Sequence, residues 1–541
     1  MKNMKKKLLS LILAMAMVGS LVGCGSGGAD ESSTAGNDTQ SAESSESAGS
    51  SESSETEDTD GEEAAPQEAE SAGGFVAAEN PDDWPVVTVQ AAVLTNMPDE
   101  ALIEEKLNEY LVSINAGVKA DIVQTVFGEL ATQLTLMLSD NQNPLDLFCW
   151  RVYSSVDGCV KNEQCIPLDP YLEEYADMWE SYPEEVLKTQ QMNGIQYAVP
   201  AVDSYATFET YLLRKDVAED LGIADRDGER ITLEEMTQIM KDAKAIHPEY
   251  AYMINTNNEL VLDIDTFGNA NWLGVLLNRG VDNTEIVNLY ETDEWRDYCY
   301  LMKEWNDAGL MMDDPLNNEL TFTQYNNGVA AGCYMGGYSV DYIRALNASS
   351  PYDRVYFPLT DLSGVSASVL GGWMISSVCK NPDAAMKLLY LMATDETVAR
   401  YFILGVEGHN YTVAEDGTAR YPEGINNTNQ TWQCDAPWFY PNQCLSLPLQ
   451  TDMTTYYTDM LDAPNHAKFS EAMGFIFDSA PVYDQMAACT SVVAEYRDAL
   501  LYGLVDVDSY LEEFNAELKA AGIDEIIAEE QKQFDAWYAA Q

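Results

Sequence analysis

From Val86 onward, short apolar runs of strand character alternate with stretches whose apolar residues repeat at helical spacing. That alternation constrains the fold more than any other feature. Strands buried on both faces need helices to cover them, and a chain that supplies both in turn implies an α/β fold with largely parallel sheets. Val86 to Val93 (VVTVQAAV) reads as the first strand, and Leu102, Ile103, Leu107, Tyr110, Leu111 and Ile114 mark a helix after Pro98-Asp99. Leu145 to Trp150 (LDLFCW) is a second buried strand, preceded by a helix near Glu129 to Ser139. Phe208 to Leu213, Val329 to Met335, Val355 to Pro358 and Val369 to Ser376 are further strand candidates. Asn381-Pro382-Asp383 supplies an N-cap and a proline at the first helical position, ahead of a helix over Ala384 to Ala393. After Leu461 the strand signal fades: Ser509 to Ala521 is a helix closed by Gly522, and another follows from Asp524.

The front of the chain reads differently. Lys2, Lys5, Lys6 and Lys7 precede an uncharged apolar run of 15 residues, Leu8 to Val22. This is the layout of a secretory signal, and it is short for a membrane span of about 20 residues. The run ends in Leu21-Val22-Gly23-Cys24, which looks like a bacterial lipobox, with cleavage before Cys24 and lipid on its sulfur. Residues 1–23 are thus expected to be a signal peptide, and residues 24–85 a lipidated cysteine followed by an acidic tether. Gly25 to Pro85 holds 17 acids and no Lys or Arg, so it cannot bury enough apolar area to offset the entropy of ordering. The expected location is the outer face of a cell membrane, of Gram-positive type, with the lipid bilayer as a partner through Cys24.

Charge excludes one function class. Overall the chain carries 28 Lys+Arg against 90 Asp+Glu, and the part from Val86 onward retains a net charge of −49. Nucleic acid is therefore not an expected partner, because phosphate binding needs a dense cationic surface. Polyanionic ligands in general meet long-range repulsion. With three His in the whole chain, a multi-His metal site is not expected either, and no cofactor is implied.

Enzyme signatures are missing from the body: it contains no GxSxG, Walker loop, HExxH or CxxC. Setting Cys24 aside leaves nine Cys, an odd number with scattered spacing, which favours reduced buried thiols over a disulfide framework. Cys159 with Cys165, or Cys434 with Cys444, would be close enough in sequence to close short loops. Ten Trp and 31 Tyr in an acidic exported chain suit carbohydrate, since a sugar ring offers an apolar CH face for stacking and hydroxyls for hydrogen bonds.

Several stretches, in order, carry a resemblance. They are Leu145 to Val152 (LDLFCWRV), Tyr197-Ala198-Val199-Pro200 leading to Tyr211 to Asp216, and Asn327 to Gly332 ending at Gly336-Gly337-Tyr338. Gly371 to Ser376 with Lys380 to Ala385 completes them. From about Trp84 to the end the chain resembles the family 1 extracellular solute-binding lipoproteins of ABC transporters, the class that includes maltose-binding protein. Gly405 to Tyr411, Gly474 to Asp478 and Leu518 to Gly522 are similar to a lipoprotein subgroup with a distinctive helical C-terminal segment. The resemblance implies a two-lobed, type II periplasmic-binding-protein-like fold with a hinge. Lobe one is expected at 86–204 plus 364–429, and lobe two at 205–363 plus 430–541.

Ligands in such folds sit at the carboxyl ends of strands, between the lobes. That rule selects Trp150, Arg151, Asp203, Tyr338 and Trp373, with Trp438 added from the Pro-flanked stretch that also holds Trp432 and Tyr440. In the resembling family the positions matching Trp150 and Tyr338 are aromatic sugar platforms, the latter more usually Trp. The implied function is a non-catalytic, monomeric import receptor that captures an oligosaccharide or other small solute and delivers it to ABC permease subunits. A secreted glycoside hydrolase and a tethered carbohydrate-adhesion protein are the competing readings.

Overall fold

The computed structural model describes residues 75–253, 262–317, 321–338, 350–366, 369, 371–426, 429–433, 436–449 and 455–541. Cys24, the leader and the acidic tract up to Gly74 lie outside these residues.

Two apolar cores organise the body. The first is built on a five-stranded sheet of order β2-β1-β3-β8-β4, with β1 at Val86–Val93, β2 at Lys119–Val126, β3 at Leu147–Cys149, β4 at Val199–Pro200 and β8 at Gly372–Ile375. β1 runs parallel to β2 and β3, whereas β8 is antiparallel to both β3 and β4. α1, Glu100–Ser113, lays Ile103, Leu107 and Leu111 on this sheet at four-residue spacing, the stripe that puts one helix face into the core. α5, Pro382–Thr394, starts where the sequence indicates: the Asn381 side chain accepts from the Ala384 N–H at 3.2 Å.

The second core surrounds a three-stranded sheet, β6-β5-β7, formed by β5 (Phe208–Arg214), β6 (Gly332–Tyr338) and β7 (Arg354–Pro358). All seven residues of β5 are buried, as a central strand with covered faces requires. Both neighbours of β5 are antiparallel to it, which corrects the expectation of largely parallel sheets. An apolar run reports burial on both faces and is silent about direction. β5 carries the chain into this lobe and β7 leads it back towards the first, so the two must run oppositely.

Three helices close the second lobe: α7 (Tyr483–Leu501), α8 (Val507–Ala521) and α9 (Ile523–Tyr538). α8 ends at Gly522 with φ 100°, a left-handed conformation that glycine adopts without a Cβ penalty. Val493, Leu500, Leu511, Phe514, Leu518 and Ile526 join the same core as Tyr211, Trp295 and Phe357.

Core membership moves one lobe boundary. Trp432, Ala436, Phe439, Tyr440 and Met460 pack into the first core with Trp373 and Phe402, so the last return to lobe two follows Met460 and not residue 429. Between the cores lies a small cluster of Val186, Tyr205, Val369 and Met473, against which Phe469 packs. It marks the three places where the chain crosses from lobe to lobe. Cys159 and Cys165 are buried free thiols, and burial pushes both up to about 12, so they carry no thiolate at neutral pH.

One turn binds the crossings together. Asn278, Arg279 and Gly280 all have positive φ, at 55°, 51° and 70°. Arg279, 4% exposed, donates to Glu209 at 2.7 Å, to Thr207 Oγ1 at 3.2 Å and to the Ser363 hydroxyl. Gly280 accepts from the Glu471 N–H at 2.9 Å, and a Cβ on it would meet Ser470 Oγ at 2.1 Å. Burial pushes the Glu209 carboxyl up, while the Arg279 charge and the Tyr334 hydroxyl hold it down.

A second buried acid predicts a pH response. Glu530 on α9 is 1% exposed, and burial followed by the nearby Asp265 charge pushes its carboxyl from 4.5 to about 8. The folded chain therefore keeps a proton that the unfolded chain releases near 4.5, and this share of stability is lost as pH rises from about 4.5 to about 8. Glu530→Gln removes the loss. Thermal unfolding at about pH 4, 6 and 8 should show a melting-temperature gain over wild type that is absent at the lowest value and grows towards the highest.

Candidate functional site

The carboxyl end of β3 places Trp150 and Arg151 at the edge of the first sheet. The Trp150 N–H donates to Gly372 O at 3.0 Å, and its carbonyl accepts from Tyr153 and Ser154 at 3.0 Å each, which turns the chain out of the strand. Room for this pair comes from Gly371 and Gly372. A Cβ on Gly371 would lie 3.0 Å from Arg151 Cβ, and one on Gly372 would lie 2.0 Å from Gln190 Oε1 and 2.9 Å from Trp150 Nε1.

Trp150 is half-buried, and its indole N–H donates to Gln190 Oε1 at 2.9 Å. Gln190 is fully buried and also donates to Thr189 Oγ1 at 2.9 Å, so its amide orientation is set from both ends. Arg151, 5% exposed, donates to Asp203 Oδ2 at 2.7 Å and to the Trp438 carbonyl at 3.3 Å, and its guanidinium lies 5.8 Å from the Phe439 ring centroid. The Asp203 side chain keeps 26% of its surface exposed and accepts from the Ser204 N–H at 2.8 Å. The buried cation thus has a matched anion, as desolvation demands, and the anion is the partner that meets solvent.

Trp438 sits on the short turn Pro437–Phe439, half-buried against the first core. Its indole nitrogen has no hydrogen-bond partner among the described residues. Four of the six expected residues, Trp150, Arg151, Asp203 and Trp438, therefore gather in one cluster on lobe one, beside the first crossing.

Trp373 does not join them. It is 3% exposed, and its indole N–H donates to Phe439 O at 2.5 Å, so the ring has no open face for a ligand. It pairs with Cys149 in the middle of the sheet, where a strand position looks inward whatever its distance from the strand end. Trp432 and Tyr440 are buried in the same lobe-one core, with Trp432 Nε1 donating to Phe402 O at 3.1 Å, and they present no surface to a ligand. Tyr338 ends β6, paired with Phe208, and its side chain lies outside the described part of the structure. The sequence reading missed Gln190 and the Gly371-Gly372 pair as the supports of Trp150, since an isolated Gln in a polar stretch carries no periodic signal.

Two α/β lobes joined by chain crossings, with Trp150, Arg151, Asp203 and Trp438 gathered beside the first crossing, make up the architecture of a two-lobed solute-binding protein. The chain belongs to the family described as "Bacterial extracellular solute-binding protein", whose profile matches residues 95–399, more than half of its length. Residues 471–539 match a second family, a domain of unknown function, DUF3502. A "Carbohydrate ABC transporter substrate-binding protein" of Streptococcus pneumoniae serotype 4 is 23% identical over 446 residues, 80% of this chain and 88% of that protein. Among solved structures, the N-glycan transport solute-binding protein NgtS of Streptococcus pneumoniae has a TM-score of 0.70 at 20% identity, covering 84% of this chain and 99% of NgtS. An "HMO binding ABC-transporter associated Solute Binding Protein" of Bifidobacterium longum infantis gives a TM-score of 0.54 at 15% identity, over 84% of this chain and all of its own. The fold is that of a type II solute-binding protein, and the family consists of extracellular substrate-binding proteins. No helix among the described residues is long and apolar enough to cross a membrane.

The split between packed and presented tryptophans can be measured. Trp373→Ala should lower stability by about 3–5 kcal/mol in chemical denaturation, the usual cost of emptying a large core site. Trp150→Ala, at a half-exposed edge, should cost roughly 1–2 kcal/mol.

Proposed function

We propose that this protein is the capture receptor of an ABC importer for a neutral oligosaccharide, held at the outer face of the cell membrane by lipid on Cys24. The observation that carries the sugar class is the Arg151–Asp203 pair. The Arg151 guanidinium follows Trp150 in sequence, and it is already matched by Asp203 at 2.7 Å. A uronate carboxylate arriving there would meet a compensated cation and an exposed anion. A neutral pyranose meets a half-buried indole to stack on and an Asp203 oxygen able to accept from a hydroxyl. The carbohydrate class of the Streptococcus pneumoniae relative supports the same reading.

The mechanism is a population shift. A ligand that touches both lobes only when they are closed stabilises that form, and the closed form is what a permease recognises. No bond in the sugar is broken, which separates this reading from a glycoside hydrolase: incubation with the ligand should shift the melting temperature without releasing products.

Two measurements test the proposal. In calorimetric titration, neutral oligosaccharides should bind more tightly than uronate-bearing ones of equal length, and Trp150→Ala should weaken binding about 2- to 12-fold, the equivalent of a 0.5–1.5 kcal/mol stacking contact. Uronate binding that is tighter, falls with added salt and disappears in Arg151→Gln would overturn the neutral-sugar assignment. For the anchor, Cys24→Ala should release the protein from the membrane fraction and abolish palmitate labelling. Retention without label would show that something other than the lipid holds it.

A further inference from the structure

One cavity lined by described residues lies away from the Trp150 cluster. It encloses about 560 Å³, and none of Trp150, Arg151, Asp203 or Trp438 lines it. Its walls come from three parts of the chain. Glu185 and Lys188 belong to a lobe-one helix, Phe469 and Ser470 to the third crossing, and Trp537 and Tyr538 to the end of α9. Phe469 packs against the hinge cluster of Val186, Tyr205, Val369 and Met473, and Met473 is itself a wall residue. Asp203, two residues before Tyr205, belongs to the Trp150 cluster. The hinge cluster therefore touches the cavity through Phe469 and Met473 and adjoins the Trp150 cluster in sequence through Tyr205.

The lining is that of a ligand site more than of a packing fault. A volume of 560 Å³ falls in the range of small-molecule pockets, whereas packing defects hold about one water. Trp537 is half-buried and immobilised from behind, with Phe475 and Phe534 each 5.7 Å away between ring centroids. Around it stand polar groups of both kinds. Tyr538 donates to Glu471 Oε2 at 2.8 Å, Lys188 reaches Glu184 at 3.2 Å, and Glu185 and Ser470 complete the rim. An aromatic ring packed against its neighbours, with hydrogen-bond donors and acceptors in the same lining, matches the CH face and hydroxyls of a pyranose. Two acids against one Lys, in a chain of net charge −62, disfavour an anionic occupant.

We propose that this hinge cavity is a second carbohydrate site, which takes a neutral mono- or disaccharide unit stacked on Trp537. The choice of sugar rests on the carbohydrate reading of the protein, and the location does not. Because one wall belongs to each lobe, an occupant feels the angle between them, unlike a sugar bound to one lobe alone.

The test uses the full chain in a detergent without a sugar headgroup, with maltose, lactose and N,N′-diacetylchitobiose as probes read by saturation-transfer difference NMR. In the Trp150→Ala/Trp438→Ala protein, transfer to at least one disaccharide should persist. Adding Trp537→Ala should cut it at least about fivefold, in line with loss of a stacking ring. Ala467→Trp, a substitution at the half-buried rim that fills the cavity and leaves the aromatic cluster in place, should do the same and keeps the test valid if Trp537→Ala fails to fold. No transfer to any probe in the Trp150→Ala/Trp438→Ala protein, or transfer unchanged by both further substitutions, overturns the second site. Wild-type binding that survives Trp150→Ala/Trp438→Ala undiminished, yet is lost in Ala467→Trp, would overturn the cleft assignment and leave the hinge site standing.

Discussion

One buried guanidinium pins together the chain crossings that join the two lobes. Arg279 reaches Thr207 on the first crossing and Ser363 on the second, and the adjoining Gly280 holds Glu471 on the third. A charge taken out of water is tolerable only when matched and fully hydrogen-bonded, and Glu209 at 2.7 Å supplies the match. The left-handed backbone at Asn278, Arg279 and Gly280 aims the side chain at two crossings and the Gly280 carbonyl at the third. Lobe geometry, and with it the space open to a ligand, depends on this arrangement.

The Trp150 cluster hangs from the same junction. Asp203 ends the lobe-one part of the chain just before it crosses, so the Arg151–Asp203 pair ties the strand-end platform to the hinge. Gln190 and the glycine pair fix the platform's ring from behind, and a Cβ at Gly372 would strike Gln190. The Trp150 cluster and the hinge are thus contiguous, so a ligand held at the cluster would meet contacts that change with the lobe angle, and only such a difference moves the equilibrium between lobe angles.

The C-terminal helices complete the second lobe and are no appendage. Tyr496 of α7 stacks on Phe514 of α8 with ring centroids 5.4 Å apart, and Phe534 of α9 packs on Phe475 at 5.2 Å. Their burial also carries an acid, Glu530, near enough to the Asp265 charge to be raised by it, and Asp265 in turn accepts from the Ser366 N–H on the second crossing at 2.8 Å. The tail is linked to the hinge through polar groups as well as apolar ones.

The sequence by itself determined the elements. The β1 run, the α1 stripe, the Asn381-Pro382 start and the Gly522 stop all fall where local chemistry puts them, because capping, left-handed turns and apolar periodicity are decided within a few residues. Strand direction, the lobe that receives Trp432 to Met460, and the burial of Trp373 were decided by tertiary packing, because each depends on neighbours distant in sequence. Trp150 and Trp373 look alike in sequence, an indole at a strand beside small or charged residues. Only the pairing of β8 with β3 turns one inward onto Phe439 and leaves the other at an edge. The Arg279 hub had no sequence signature at all, since a lone Arg between Asn and Gly reads as a surface turn until three crossings close over it.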